Sequence, residues 1–322
     1  MPIIPSTYNR PPWYQFNGHL QTLWPGIFRE IKDFQYERYR LELEDGDFLD
    51  LDWKKNDSED LIIIAHGLEG HSERPYVMGL AKLASSAGWD ILAWNCRSCS
   101  GEMNRLPKMY YHGDTADQLS VLDYARGVKP YKRIVLTGFS MGGAIVLKTL
   151  GKHAQELPAE VVGGLAYSVP CDLSKSAESL DWKKNRLYKK RFLNKLATKF
   201  KAKNDQFPGM IDVSKIEDVD QWIDFDEWFS APMNGFRDAA EFYYNGSCKN
   251  WLDGVQVPTL LMTAHNDPII PQACIPVEQI KAHDHVHLMM SQQGGHVGFM
   301  EPGTSVSHME LAGMAFLNEH LA

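Results

Sequence analysis

The sequence has few cysteines and lacks any long apolar run. Its five cysteines are odd in number and irregularly spaced, which does not suit the disulfide framework of a small secreted protein. No stretch approaches the roughly 20 apolar residues of a membrane-spanning helix, and residues 1–10 lack the apolar run of a signal peptide. We therefore predict a cytoplasmic protein with free thiols. The cysteines are Cys96, Cys99, Cys171, Cys248 and Cys274.

A basic excess is also absent. The net charge of −8 at pH 7 gives no general reason to bind nucleic acid, because proteins that do so usually carry strongly basic surfaces. Apolar residues make up 44% of the chain and charged residues 23%, as in ordinary globular proteins. The composition thus argues against a disordered chain and predicts a folded protein with no nucleic-acid partner.

Two local patterns suggest a metal site, but neither is complete. Cys96-x-x-Cys99 is half of a zinc site, and no second cysteine pair or matching histidine pair follows it. His283, His285 and His287 alternate, so a strand would place their side chains on one face, where a metal ion is conceivable. We favour an ordinary loop for the cysteines and an ordinary exposed edge for the histidines. The sequence therefore predicts no metal ion and no cofactor.

Short apolar runs alternate with helical patterns along most of the chain. Two runs on either side of residues 44–47 alternate apolar with polar residues, which predicts an antiparallel N-terminal hairpin. The later runs are almost wholly apolar, as expected of strands covered on both faces. We therefore predict an α/β fold with a mostly parallel central sheet and helices on both faces. The predicted strands are 34–43, 48–53, 61–65, 90–94, 133–137, 164–168, 259–263 and 286–290, and the predicted helices are 75–87, 115–127, 142–153 and 306–321.

The alternation stops between Val169 and Trp251, where the pattern becomes helical and charged. Residues 175–205 contain eleven Lys or Arg against three Asp or Glu, interleaved with leucine and aromatic residues at helical spacing. We predict a single domain, residues 1–322, with a basic helical lid at about 170–250 whose apolar residues cover the site. A less favoured interpretation is that this segment makes weak contact with anionic membrane surfaces.

A glycine-flanked serine separates the predicted strand 133–137 from the helix that follows it. In Gly138-Phe139-Ser140-Met141-Gly142 a sharp strand-to-helix turn would strain the backbone of the serine, and the two glycines would let the neighbouring elements approach closely. Such a turn presents the Ser140 hydroxyl at the top of the sheet. The N–H of Met141 would lie at the start of the helix, where it can stabilise an oxyanion. Ser140 is therefore the predicted nucleophile.

A serine hydroxyl needs a general base, and the base needs an orienting acid. His296, in the loop after the last predicted strand, is the predicted base. Asp267 follows the strand 259–263 and is the predicted acid, whereas Asp253 and Asp284 precede strands and so lie at the wrong end of the sheet. The less favoured histidines are His308 and His320 in the terminal helix, His283, His285 and His287 at the start of a strand, and His112, which would break the usual chain order of Ser, acid and His.

The run His66-Gly67-Leu68 follows the first apolar strand of the predicted sheet. A bend at Gly67 would present the N–H of Leu68 as a second oxyanion donor, with His66 as a structural hydrogen-bonding residue. The alternative is a simple turn. In the next loops we expect Arg97, Glu102 and Asp114 to form an internal ion-pair network that shapes the rim of the site.

With these motifs the chain resembles the YheT-like group of α/β-hydrolases, the type 4 branch of that superfamily, over nearly its whole length. The resemblance implies an α/β-hydrolase fold, a helical lid and a Ser140, Asp267, His296 triad. Members are similar to carboxylesterases, and eukaryotic relatives include lipases and ethanol acyltransferases. Ser98 departs from the pattern, because the group has glycine there. The motifs that carry the resemblance are 16–22, 66–70, 95–102, 111–112 with 115, 138–143, 231–236, 266–268 and 294–298.

The residues and the resemblance together predict a serine hydrolase, a carboxylesterase that acts on short- to medium-chain acyl esters through an acyl-enzyme. An acyltransferase or a lipase-like enzyme could use the same triad, because the outcome depends on whether water or an alcohol reaches the acyl-enzyme. A non-catalytic binding protein is the least favoured alternative. The predicted partner is a small-molecule ester, and the oligomeric state is left open.

Overall fold

The computed structural model describes residues 2–8 and 10–321, and within them nine strands form one sheet. The spatial order is β1-β9-β8-β7-β6-β4-β5-β3-β2, with strands numbered in chain order. The strands are β1 Ile3–Ile4, β2 Glu37–Glu42, β3 Phe48–Lys54, β4 Asp60–Ala65, β5 Asp90–Trp94, β6 Arg133–Phe139, β7 Val161–Tyr167, β8 Thr259–Ala264 and β9 Val286–Ser291.

Helices lie between and after the strands. None of those in the described part of the chain is long and apolar enough to cross a membrane. The α-helices are α1 Gly18–Phe28, α2 Pro75–Ser86, α3 Thr115–Val128, α4 Met141–Lys152, α5 Leu173–Leu180, α6 Arg186–Gln206, α7 Trp222–Phe225, α8 Ala231–Met233, α9 Ala239–Gly246, α10 Val277–Lys281 and α11 His308–His320. A π-helical turn, Asp226–Ser230, joins α7 to α8, and 3₁₀ turns occur at Lys183–Asn185, Val213–Asp218, Cys248–Gly254 and Gln272–Cys274.

The sheet is mostly parallel, as the sequence predicts. β3 runs antiparallel to its neighbours β2 and β5, and every other adjacent pair in the described sheet is parallel. The predicted hairpin is therefore confirmed, and it forms one edge of the sheet. The other edge is β1, which has only two residues and so gives no alternation that a sequence pattern could reveal.

Apolar side chains of the central strands alternate between two cores, one on each face of the sheet. In β4, Leu61 and Ile63 belong to the core under α3 and α4, whereas Ile62 and Ile64 belong to the core under α2 and α11. This alternation explains why the predicted strands read as continuous apolar runs, since both faces are covered by helices. The predicted arrangement of helices on both faces is confirmed.

Local sequence signals account for where several helices begin. Pro75 occupies the first turn of α2, where its missing N–H costs no hydrogen bond. Ser307 and Glu310 form a reciprocal capping box at the start of α11. The Asn17 side chain caps α1 by accepting the N–H of Leu20 at 2.9 Å. The sequence prediction missed α1, because Gly18, Pro25 and Gly26 all disfavour a helix.

The described residues between β7 and β8 contain helices and no strand, and we refer to residues 170–250 as the helical segment. Its aromatic side chains pack together, with the Phe200 ring 5.3 Å from that of Phe225 and 5.7 Å from that of Phe229. The segment is tied to the rest of the protein by ion pairs such as Lys199 with Glu69, at 2.7 Å. Its apolar residues continue the core under α3 and α4.

Candidate active site

The predicted site residues meet at one edge of the sheet. Because parallel strands end at the same edge, the loops after β4, β6, β8 and β9 converge there. These loops carry His66, Ser140, Asp267 and His296 in that order. The sheet topology thus brings His66 together with Asp267 and His296, which lie 200 or more residues later in the sequence.

Ser140 lies on a strained turn between β6 and α4. Its backbone angles, φ of 54° and ψ of −117°, are rarely adopted by residues other than glycine. The turn is possible because a Cβ atom at Gly138 would lie 2.2 Å from the Gly142 carbonyl oxygen, and one at Gly142 would lie 2.3 Å from the Ala65 carbonyl oxygen. Only glycine fits at these two positions, so the predicted role of Gly138 and Gly142 has a direct steric basis.

His296 and Asp267 form a hydrogen-bonded pair. Nδ1 of His296 lies 2.8 Å from Oδ2 of Asp267, and both residues are buried. The other carboxylate oxygen, Oδ1, accepts the N–H groups of Ile269 and Ile270 at 2.8 and 2.9 Å. The carboxylate is thereby fixed so that Oδ2 faces the ring. A neutral imidazole that donates from Nδ1 keeps Nε2 unprotonated and available as a base.

Helix α1 holds the loops of both residues. Thr22 Oγ1 accepts the N–H of His296 at 2.9 Å, and Gln21 Oε1 accepts the N–H of Gly294 at 2.8 Å. The same Gln21 oxygen accepts Nδ2 of Asn266, the residue before Asp267, at 2.8 Å. Gln21 is completely buried. Sequence reasoning did not assign Gln21 and Thr22 any role, although both lie in the motif 16–22 that contributed to the resemblance.

Replacing Thr22 by valine tests this support. Valine has nearly the same shape but cannot accept the N–H of His296, and a buried unpaired N–H costs about 1–3 kcal/mol. We expect the loop to shift and kcat/KM for ester hydrolysis to fall about 10- to 100-fold, while the melting temperature falls by only a few degrees. Thr22→Ser keeps the acceptor and should remain near wild-type activity. Wild-type activity in Thr22→Val would show that α1 does not position the histidine.

The turn after β4 lies directly against Ser140. A Cβ atom at Gly67 would be 3.2 Å from the Cβ of Ser140, so the two turns are in close contact. The Gly67 carbonyl accepts the N–H of Gly70 at 2.9 Å, which closes the turn around Leu68. Among the described residues, neither the N–H of Leu68 nor that of Met141 has a hydrogen-bond partner. Two unpaired donors therefore stand beside the Ser140 turn, as an oxyanion hole requires.

His66 supports this turn from within the core. Its Nε2 accepts the N–H of Cys96 at 3.0 Å, and its Nδ1 donates to the Gly67 carbonyl at 2.7 Å. Complete burial lowers the pKa of His66 to about 3, so the ring is neutral and has one donor and one acceptor. Both ring nitrogens are thus used within the protein, at the turn that contacts Ser140.

Two cavities meet at Ser140 and His296. The basic cavity, about 970 Å³ of empty space including its mouth, is lined by Thr22, Arg74, Tyr188, Arg191 and Lys195 among others. The apolar cavity, about 400 Å³, is lined mainly by Leu173, Ala177, Leu180, Trp222 and Ile270. Both cavities also share Leu68, Phe192 and Ile269 with the two site residues. The serine and histidine therefore lie where two chemically different spaces join.

Comparison with known proteins now assigns the family. A family model for the alpha/beta hydrolase fold matches residues 60–302. The Escherichia coli (strain K12) protein named "Putative esterase YheT" is 31% identical, with 92% of this chain and 87% of that protein covered. The chain belongs to the YheT-like α/β-hydrolases.

Two further comparisons extend this assignment. Phospholipase ABHD3 of Mus musculus is 27% identical to this α/β-hydrolase, over 93% of the chain and 75% of the relative. The solved structure of the esterase Pf2001 of Pyrococcus furiosus superimposes with a TM-score of 0.59 at 17% identity, covering 90% of this chain and 94% of that one. The structural match supports the fold, and the predicted α/β-hydrolase fold is confirmed.

One sequence prediction for this hydrolase was wrong in part. Arg97 and Asp114 belong to one ion-pair network, but they are linked through Asp117 of α3 and Lys108 and do not pair directly. Glu102 lies outside this network and pairs with Arg40 of β2. Arg97 is almost completely buried and its charge is balanced by several carboxylates. This group of ion pairs therefore has a structural role. The ion-pair partners are Asp45, Asp47 and Asp117 for Arg97, Arg40 for Glu102, and Lys108 for Asp114.

Ser98, at the position where the resemblance predicted glycine, adopts a φ of 62°. This left-handed conformation is the one that glycine favours, so the serine is strained. Its hydroxyl donates to the side chain of Asn104 and accepts the Asn104 N–H at 3.1 Å. These local hydrogen bonds help to offset the strain of the turn.

Two of the competing histidines of this hydrolase, His283 and His308, are engaged away from the site. His283 Nδ1 accepts the N–H groups of His285 and Val286, and its Nε2 contacts the Leu252 carbonyl at 2.9 Å, so both nitrogens serve the turn before β9. His308 pairs with Glu301 at 2.8 Å. His112 lines the apolar cavity, where burial lowers its pKa to about 4 and keeps the ring neutral. The hydrogen bond to Asp267 is made by His296.

Proposed function

We propose that the protein is a carboxylesterase that hydrolyses short- to medium-chain acyl esters with Ser140 as nucleophile, His296 as general base and Asp267 as orienting acid. The observation that carries this proposal is the 2.8 Å hydrogen bond between His296 and Asp267, beside the cavities that Ser140 also lines. The names of the relatives, an esterase in one case and a phospholipase in another, support ester hydrolysis in this family.

The proposed reaction has two acyl-transfer steps. Nε2 of His296 takes the proton of Ser140 as its oxygen attacks the ester carbonyl, and the N–H groups of Leu68 and Met141 stabilise the oxyanion. The protonated imidazole, stabilised by Asp267, then gives its proton to the leaving alcohol. A water molecule, deprotonated by the same His296, attacks the acyl-enzyme and releases the acid, and the proton returns to Ser140. No cofactor takes part in this scheme.

The apolar cavity is the proposed acyl pocket. Its lining leucines, isoleucine and tryptophan are buried, so an acyl chain placed there would leave water, and each buried methylene contributes about 0.8 kcal/mol. We expect kcat/KM for p-nitrophenyl esters to rise about fourfold per methylene from acetate to hexanoate and then to fall for dodecanoate. A steady rise through hexadecanoate would contradict a closed pocket and favour a lipase-like enzyme.

A pocket-filling variant makes this test sharper. Ala177 lies in α5 and lines the apolar cavity, so Ala177→Phe should shift the optimum toward acetate. Ala240→Phe, at an exposed position of α9, is the matched control and should leave the chain-length profile unchanged. The same assays with added ethanol would show whether ethyl esters form in place of free acid. A predominance of ethyl ester would identify the protein as an acyltransferase.

A further inference from the structure

Three cationic side chains that have no carboxylate partner among the described residues line the basic cavity. Arg74 comes from the residue that precedes α2, whereas Arg191 and Lys195 lie four residues apart on α6 and so share one face of that helix. All three line the cavity that contains Ser140 and His296. Cations from two separate parts of the chain therefore converge on a single space next to the proposed nucleophile.

The neighbouring carboxylates do not neutralise these cations. Glu69, which also lines the cavity, is paired with Lys199 at 2.7 Å, and Arg29 is paired with Glu310 at 2.7 Å. Within the described residues, Arg74, Arg191 and Lys195 have no carboxylate at ion-pair distance. Lys195 donates only to the backbone carbonyl of Glu69, at 3.2 Å.

The positive charge of these three residues also affects the pKa of Lys195. Partial burial lowers its pKa, Glu69 opposes this, and the positive charges of Arg191 and Arg74 lower the pKa further. Like charges that repel one another in the empty cavity would be stabilised by an anion placed between them. The cavity thus favours a ligand with a negative charge.

The two cavities differ in their lining, and this difference predicts which part of an ester substrate enters each of them. The apolar cavity is lined mostly by buried side chains, whereas the basic cavity includes two exposed residues, Arg191 and Lys195, in its lining. An acyl chain gains most by entering the apolar cavity. With the ester carbonyl at Ser140, the alcohol part of the substrate must then lie in the basic cavity.

We propose that Arg74, Arg191 and Lys195 form a subsite for an anionic group, a phosphate or a carboxylate, on the alcohol part of the ester. This inference rests on the proposed esterase function and adds a substrate class to it: an apolar acyl chain joined to a short alcohol that carries a negative charge. Guanidinium groups bind either anion through paired hydrogen bonds. The subsite acts on monomeric substrate within the cavity and does not require a lipid surface.

The test uses three esters that differ only in the alcohol part. They are 1-hexanoylglycerol, its 3-phosphate, and the hexanoyl ester of glyceric acid, so that the acyl group is constant and the charge varies. We expect wild-type kcat/KM to be at least about tenfold higher for the two anionic esters than for the neutral one. In Arg191→Gln and Lys195→Gln this ratio should fall about three- to tenfold, and added salt should lower it in the wild type.

A neighbouring lysine provides the control. Lys190 is next to Arg191 but faces a different surface groove, so Lys190→Gln should keep the wild-type ratio. An equal ratio in the wild type and in Arg191→Gln would overturn the subsite. A preference for charge that is seen only with long-chain 1-acylglycerol 3-phosphate in vesicles, and not with the soluble esters, would also overturn it, because the cations would then act on a membrane surface.

A binding measurement separates this inference from the proposed function. Calorimetric titration of the wild type with glycerol 3-phosphate and with glycerol should show binding of the phosphate alone, weakened about three- to tenfold in Arg191→Gln. Binding without hydrolysis of any of the three esters would keep the anion subsite and contradict the esterase. Hydrolysis of the neutral ester without phosphate binding would keep the esterase and contradict the subsite.

Discussion

Ser140→Ala should abolish ester hydrolysis, with kcat lowered by at least about 10⁴-fold. The variant loses the only atom that the proposed scheme uses to form the acyl-enzyme. The oxyanion donors at Leu68 and Met141 remain in place, so a small residual rate above that of water is expected. The measurement is the hydrolysis of p-nitrophenyl hexanoate under saturating substrate.

The fold should survive this substitution. Alanine removes one oxygen from a turn whose shape depends on Gly138 and Gly142, so the melting temperature should stay within a few degrees of the wild type. Ser305→Ala, at an exposed serine outside both cavities, is the matched control and should retain full activity. Turnover by Ser140→Ala that is comparable to the wild type would show that another residue is the nucleophile.

Asp267→Asn should lower kcat by about 10⁴-fold through the tautomer of His296. The Oδ1 atom of Asp267 accepts two backbone N–H groups, so the amide oxygen of asparagine would keep that position. Its NH₂ group would then face Nδ1 of His296 and donate to it, which places the ring proton on Nε2. A ring protonated at Nε2 cannot accept the Ser140 proton, although the packing is almost unchanged.

A surface aspartate provides the control for this prediction. Asp253 accepts a hydrogen bond from Gln279 at 2.8 Å in an exposed position, and Asp253→Asn should change kcat by no more than about twofold. Activity of Asp267→Asn close to that of the wild type would contradict the role assigned to the acid. The positions of the two aspartates relative to their strands, after β8 and before it, predict the difference between the two variants.

The sequence predicted the sheet and the loops that carry the site residues because these features have local signals. Apolar runs between turns located the central strands, and glycines on both sides of Ser140 indicated the strand-to-helix turn. Since the fold places the ends of parallel strands together, the chain order was enough to select Asp267 and His296. The hydrogen bond between them in the structure agrees with that selection.

The parts that the sequence did not reveal depend on contacts between distant residues. Gln21 and Thr22 support a histidine loop more than 270 residues away in the chain, and α1 itself contains residues that disfavour helices. Arg97 was expected to pair with Glu102 and Asp114, but its direct partners are Asp117 of α3 and, from the hairpin turn, Asp45 and Asp47. No local pattern encodes such contacts, since they are fixed only when the sheet has formed.

The arrangement of the two cavities also lies beyond sequence reasoning. The basic composition of residues 175–205 suggested a charged helical lid or a membrane contact, without showing where each charge points. In the structure Arg191 and Lys195 line the cavity that Ser140 also lines, whereas Lys190 lines another surface groove. The basic residues of this segment therefore lie in at least two environments. Only the packing of α6 shows which residue lies in which.

The central claim is that Ser140 is an activated nucleophile, and covalent labelling tests it most directly. The protein would be treated with a fluorophosphonate probe, and the modified residue identified by mass spectrometry of its peptides. We expect one adduct per chain, located on Ser140, and no labelling of Ser140→Ala. An unlabelled wild-type protein, or an adduct that persists on another residue in Ser140→Ala, would contradict the account.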